Sequence, residues 1–331
     1  TLAECTAEAA KDVTVQTNLL EARLLAGNVQ LFEQMRDAQR QALRPAAFFE
    51  AKLLEQRKRH GRHADVAMLL EPNLKESPGG LRDLHTLLWL AQAAGLGHNI
   101  SDLQRAGLLQ PAETRAFRTN IHLLAHLRIH LHLAANRRED RLLFEFQERI
   151  AAGLGVTEKD ARRASERLMQ RFFRAARHVR LINELVLGEL RDRLFPPAAT
   201  RLLPDEADFR TAGALLDADE DLFERKPDRL LDTFLLLTAE RDLQGCTPRL
   251  LRALRRAGPR IDARFRANRD NQRRFPALLA ASHGVTRSLR LMHRLGLLGR
   301  YLPLFGRITG QMQHDHFHIY PVDEHTLMVL R

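Results

Sequence analysis

The sequence predicts an all-α protein, a multi-helix bundle followed by a second helical unit. Apolar residues recur at helical spacing along almost all of its 331 residues. No segment alternates convincingly with a period of two, and no hairpin dipeptide joins two β-branched runs. Tyr and Trp number only 2 and 1, and Val and Ile are scarce, so strand formers are few.

Taken in order, residues 3–26 form the first predicted helix, with Thr1 and Glu4 spaced as a capping box. Further helices are expected at 29–41, 46–60, 80–94 and 111–135. The segment 158–194 is long, charged and periodic. Phe172, Ala176, Val179 and Ile182 fall on one stripe of it, and Pro196 and Pro197 stop it. The stretch 195–208, FPPAATRLLPDEAD, carries three prolines. It is the expected linker between a helical domain at 1–194 and a helical connecting region at 209–309. In the second unit short helices alternate with Gly and Pro, at 245–248, 257–259 and 282–284. Residues 310–331 are expected to open a further domain. VDEHTLMVLR starts an amphipathic helix and stops without a cap, so the chain is expected to be a piece of a longer protein.

Composition narrows the function classes. A chain of this length can bury two cores. No apolar run approaches the ~20 residues of a membrane helix, so no membrane partner is expected. No signal peptide is visible, although residue 1 is Thr rather than Met. Cys5 and Cys246 lack metal-ligand spacing, and two free thiols suit a reducing cytoplasm. The net charge of +11 comes almost wholly from Arg and favours an acidic partner: a nucleotide, a nucleic acid or an acidic protein face. A GC-rich genome produces the same Arg, Ala and Leu usage.

Chemistry concentrates in Glu71–Leu87, EPNLKESPGGLRDLHTL. Ser77 is placed to cap a helix, and Pro78 to sit in its first turn. Gly79 and Gly80 let a ligand or another backbone come close. With Lys75 and Arg82 nearby, the N–H groups of that helix start form a candidate phosphate seat. A tight turn without a ligand is the competing reading. His122, His126 and His130 stand at i, i+4 and i+8, a metal-capable spacing, yet no Glu lies between them as in HExxH, and packing or surface imidazoles are the simpler reading. The Asp-x-Asp at Asp217–Asp219 runs on into Glu220 and Asp221 and reads as a solvated helix start.

SPGGLRDLHTL resembles the SPGGLRD-[IL]-HTL signature of the bifunctional uridylyltransferase/uridylyl-removing enzymes of bacterial PII nitrogen signalling. Thr1–Gly27, Leu291–Gln313 and Gly310–Leu327 (GQMQHDHFHIYPVDEHTL) are similar to the same family, in its order. The resemblance implies a nucleotidyltransferase that moves UMP from UTP to a PII tyrosine when glutamine is low. It also implies a hydrolase that removes UMP when glutamine is high, with Mg²⁺ or Mn²⁺ in the full enzyme. The family's transferase needs a Gly-Ser turn and an Asp-x-Asp strand to hold two Mg²⁺ ions. No Gly-Ser occurs here. That core is therefore expected before Thr1, and no glutamine-sensing ACT domain is present.

The resemblance implies nucleotide-proximal positions for Asn18, Glu21, Lys75, Gly79, Gly80, Arg82 and Asp83, with Asp12 and Thr17 on the same cleft-lining helix as Asn18 and Glu21. Arg82 suits phosphate as a planar fork; alternatively, Arg82 and Asp83 form ion pairs that pin their helix. In VDEHT, His325 matches the first metal-binding His of the family's HD phosphohydrolase domain. It is one ligand of an incomplete site whose His-Asp pair is expected beyond Arg331. His314-Asp315 is not that pair, because His314 falls at a variable position. Asp315 and His318 match family positions without an assigned role, and His316 belongs to the same cluster. The chain alone is expected neither to transfer nor to remove UMP. Two other classes remain. One is a basic helical nucleic-acid-binding module, against which stand few aromatics and no helix-turn-helix signature. The other is a relative of glutamine-synthetase adenylyltransferase, which shares Gly-Gly-x-Arg-Asp but lacks VDEHT.

Overall fold

Asp12 divides the first predicted helix in two. The computed structural model describes residues 1–63, 70–159, 163–196, 198–203, 206–312 and 320–330. In it Asp12 is extended, and its Oδ1 accepts from the Thr14 amide at 2.6 Å. Helix α1 (Leu2–Lys11) ends there and α2 (Val13–Leu20) begins, because a side chain that satisfies an orphan N–H starts a new helix. The Thr1–Glu4 capping box forms as the spacing predicts. Then come α3 (Val29–Ala42), α4 (Pro45–His63), α5 (Leu81–Ala93), α6 (Ile100–Arg105), α7 (Pro111–Ala135), α8 (Phe144–Gly153) and α9 (Ala164–Leu194).

The apolar stripe of α9, with Phe172, Ala176, Val179 and Ile182 all buried, packs on α5, α7 and α8. Phe48, Phe49, Leu84, Leu87, Phe117 and Leu124 complete this first core. Full burial of one Leu or Phe contributes about 1.5–3 kcal/mol, so packing rather than helix propensity holds the bundle.

Residues 200–246 correct the all-α expectation. They form a four-stranded sheet in the order β1 (Thr200–Leu203), β2 (Glu206–Ala212), β3 (Leu215–Ala218), β4 (Gly245–Cys246). The first three strands are antiparallel, and β3 pairs with β4 in parallel. Two of the strands begin inside the proline-marked stretch 195–208. Gly213, with φ +59°, makes the tight β2–β3 turn. The strands escape pattern reading because charge holds them as much as apolar alternation does. Arg210 faces Asp217 across the β2–β3 pair and donates to it at 2.9 Å, and also donates to Asp219 at 2.9 Å. Asp217 is thus a buried strand residue and not a solvated helix start. It also accepts from Thr247 at 2.6 Å and pairs with Arg249. Burial raises its pKa, but these donors outweigh burial and hold the carboxyl below its ordinary range.

Between β3 and β4 the chain forms α10 (Leu222–Arg225) and α11 (Arg229–Ala239), and after β4 come α12 (Pro248–Ala257), α13 (Ala263–Ala267), α14 (Arg269–Leu279), α15 (Val285–Leu295), α16 (Leu298–Tyr301), α17 (Pro303–Ile308) and α18 (Val322–Val329). A second core gathers Phe209, Phe223, Phe234, Leu250 and Met292 against Leu181 and Leu185 of α9. Helix α9 therefore serves both cores. Gly188 lets Pro248 of α12 press onto it, where any Cβ would collide. Beside this contact Arg252 donates to Glu113 at 3.1 Å and to the Leu108 carbonyl at 2.9 Å, and pairs with Glu189.

Candidate functional site

The SPGGLRD segment is a closed turn. Asn73 Oδ1 accepts from the amides of Lys75 (3.0 Å) and Glu76 (2.7 Å), and Ser77 Oγ accepts from the Asn73 amide at 3.1 Å. Ser77 braces this turn and does not cap α5. Gly80 is the N-cap, and Pro78 precedes the helix. The amides expected to be free are taken. That of Gly79 donates to Asp83 Oδ2 at 2.7 Å, Gly80 to Ser77 O at 2.8 Å, Leu81 to Leu74 O at 3.0 Å and Arg82 to Lys75 O at 2.9 Å. The helix start is therefore no phosphate seat. Gly79 has φ +85°, and a Cβ there would lie 2.9 Å from Ala176 Cα. What approaches the glycine is the backbone of α9.

Asp83 lies beneath the turn with its side chain fully buried. Oδ1 accepts from Arg59 Nη2 at 2.7 Å and meets His60 Nε2 at 2.8 Å, while Oδ2 takes the Gly79 amide. Burial raises the Asp83 pKa. The His60 hydrogen bond and charge, Arg59 and the amide together outweigh it, and the carboxyl sits below its ordinary range. Arg59 also donates to the Glu76 carbonyl at 2.9 Å. Asn183 of α9 donates to the Asp83 carbonyl at 3.2 Å and accepts from Gln56 at 2.6 Å. The Asp83 carboxylate thus ties α4 to the turn and α5, and its main-chain carbonyl adds α9, which is the pinning role foreseen as an alternative for Asp83.

One face of α5 carries the half-buried Arg82 and His85 and the buried Trp89 at i, i+3 and i+7. Arg82 Cζ lies 5.2 Å from the Trp89 ring centroid, and Lys52 Nζ lies 4.6 Å from it. Lys52 is buried, pairs with Glu55 at 2.7 Å, and has its pKa pushed down by burial. Arg82 and Lys75 share Glu76, at 3.4 and 3.3 Å, and Arg59 stands 3.7 Å from the same carboxylate. With Arg59 held chiefly by Asp83, the cations Arg59, Lys75 and Arg82 face two carboxylates, Glu76 and Asp83, and positive charge is in excess here. Burial pushes the His85 pKa down, and Arg82, Arg128 and Lys75 push the same way against Glu21. Arg128 is held by Asp140 at 2.6 Å, and the Asp140 carbonyl accepts from the Leu74 amide at 2.8 Å.

Among the anticipated residues, Lys75 and Arg82 therefore meet at Glu76, while His85 feels the charges of Glu21, Lys75 and Arg82. Asn18 is exposed on α2, Asp12 is an exposed cap, and Thr17 is buried with its hydroxyl on the Val13 carbonyl at 2.7 Å. Gly79, Gly80 and Asp83 are buried and form the support beneath. Sequence reasoning missed His85, Trp89, Lys52, Arg59, His60 and Arg128. The i, i+3, i+7 spacing pointed to the first two. The others arrive from separate helices and left no local signal.

His122 and His126 are exposed on α7, and His130 lies half-buried against Gly153. Among the described residues no group of three His, Cys, Asp or Glu is placed to hold a metal. His325 is exposed on α18, and the described residues do not by themselves fit a divalent ion. His314, Asp315, His316 and His318 lie outside the described residues. No helix is long and apolar enough to cross a membrane among the described residues.

This geometry defines a mainly helical protein with two cores and a small sheet, in which a buried Asp–Arg–His cluster braces a cationic face. Residues 47–187 match the family model described as GlnD PII-uridylyltransferase, and residues 209–301 match the one described as uridylyltransferase GlnD third domain. The chain belongs to the GlnD uridylyltransferase family. It is 52% identical over 332 residues to the bifunctional uridylyltransferase/uridylyl-removing enzyme of Thiobacillus denitrificans. To the proteins of that name from Nitrosospira multiformis and Chromobacterium violaceum it is 48% identical over 334 residues and 47% over 337. Each alignment takes in 100% of this chain but 39%, 37% and 39% of the relative, so the chain spans about two fifths of the length of these curated relatives. No solved structure matches it.

Proposed function

We propose that the chain is the helical part of a PII-modifying enzyme and that its α5 face lies toward the nucleotide. The meeting of Lys75 and Arg82 at Glu76, with Arg82 against the Trp89 ring, in a chain so similar to proteins named for uridylyl transfer and removal, carries this reading. In the transfer a PII tyrosine oxygen attacks the α-phosphorus of UTP and pyrophosphate leaves. In the removal water attacks the same phosphorus and the tyrosine leaves. Arg82 and Lys75 supply fixed positive charge toward phosphate oxygens, which gains strength at a half-buried surface. Asn18 of α2 and Glu21, its C-terminal cap, serve as further nucleotide-proximal residues in this reading. Gly79, Gly80 and Asp83 position it without touching the nucleotide.

His325 would supply one ligand to a metal of the hydrolase reaction, and Mg²⁺ or Mn²⁺ would serve the transferase in parts of the relatives that this chain does not span. Glutamine acts as effector through such parts, and the protein works in the cytoplasm. The nucleic-acid-binding and adenylyltransferase readings are not favoured, because the relatives bear the uridylyltransferase name along this whole chain.

Calorimetric titration of the purified protein with PII, with and without UTP and Mg²⁺, at two salt concentrations, tests this. Saturable PII binding that DNA of equal charge cannot mimic is expected. Binding of DNA alone, with a steep salt slope, would contradict it.

A further inference from the structure

Where α9, α15 and α18 meet the Pro78 turn, a small cavity of about 30 Å³ is lined by Arg177, Arg180, Arg294, His293, Asp323 and Glu324 among others. Two carboxylates line it with the arginines, Asp323 and Glu324, and Asp323 Oδ1 has no partner among the described residues. Asp323 Oδ2 lies 3.0 Å from His293 Nε2 and accepts the Gly310 amide at 2.9 Å. Glu184 holds Arg294 at 3.3 Å, and Glu324 stands 4.0 Å from His293.

Two arginines of α9 are left over. Among the described residues Arg177 reaches only the His293 carbonyl, at the long distance of 3.5 Å. Arg180, half-buried, has no hydrogen bond or ion pair among the described residues; the charges it feels are those of Glu324, Arg294, Asp83 and Glu184. A guanidinium carries five donors, and withdrawing it from water without an acceptor is costly. The two residues are three apart on α9 and share a face.

We propose that this cavity binds a small oxyanion, a carboxylate or a phosphate group, between Arg180 and Arg177. The planar forks match two oxygens on one centre. Its volume is that of about two waters, too little for the base and sugar of a nucleotide. The proposal stands apart from the reading of the α5 face. Occupancy braces α18, whose Asp323 forms a wall of the same cavity and whose His325 lies two residues on.

The test titrates the purified protein with inorganic phosphate and, separately, with acetate, at constant ionic strength set by chloride. Saturable binding of at least one, a raised Tm and slower amide exchange across 322–329 are expected; which of the two binds identifies the source of the oxyanion. Arg180→Gln is expected to weaken binding at least about tenfold, the loss of one charge-assisted contact. Arg260→Gln, at an exposed arginine remote in sequence, is expected to bind as the unsubstituted protein does. Since Arg180→Gln removes an unpaired cation, its Tm in chloride should not fall, which separates lost binding from lost folding. Arg177→Gln provides the second variant. No saturable binding of either anion, or undiminished binding by both variants, would overturn the proposal.

Discussion

Asp83 shows how one residue can be central to a motif without facing a ligand. Its carboxylate is enclosed by Arg59, His60 and the Gly79 amide. Replacing Asp83 by Asn leaves Arg59 without its buried counter-charge, and a loss of about 3 kcal/mol in denaturant unfolding is expected. The pH dependence has a definite sign. The folded-state pKa is depressed, so this stability is fully present above the unfolded value near ~4 and is lost as pH falls through the lower folded value. Below about pH 4 the unsubstituted protein should lose stability more steeply with falling pH than Asp83→Asn does. At Gly79, Ala would meet both a positive φ and the backbone of Ala176. Gly79→Ala is expected to lower stability by about 2 kcal/mol or more, measured the same way. Lys75 and Arg82 were legible as a cationic pair in the motif. That Asp83 points inward was not, because Arg59 and His60 stand more than 20 residues earlier and only tertiary packing brings them near.

At the scale of elements, local chemistry reads well and charge-held pairing reads poorly. The Thr1–Glu4 box, the span of α7 and the halt of α9 before Pro196 follow from caps, period and proline. The break at Asp12 was legible in principle, since Asp is both a good N-cap and a weak helix former, but the apolar period runs straight through it. The sheet was not legible. Its strands are short, only some of their residues are buried, and a buried Arg210–Asp217 pair replaces the expected alternation. The junction of α12 with α9 makes a separate prediction. Arg252→Ala leaves Glu113 buried without its partner. A loss of about 3 kcal/mol is expected, together with separation of one thermal transition into two as the cores uncouple; calorimetric scanning reads both.

At the scale of the molecule, two cores share one long helix, and the motif turn sits where that helix, the α5 face and the start of α18 come together. The family was legible because its signature segments are long and stand in order, whereas the composition alone pointed no further than an acidic partner. The geometry adds a division of labour within Lys75–Asp83: the glycines and Asp83 build the support, and Lys75 and Arg82 present charge. The most direct test is steady-state kinetics of PII uridylylation by the natural enzyme carrying Arg82→Gln. Arg82 is partly exposed and its ion pair is long, so its replacement should cost at most about 1 kcal/mol of stability. The account predicts a KM for UTP raised at least about tenfold, with Tm nearly unchanged. Unaltered KM and kcat in a well-folded variant would contradict the claim that this face serves the nucleotide.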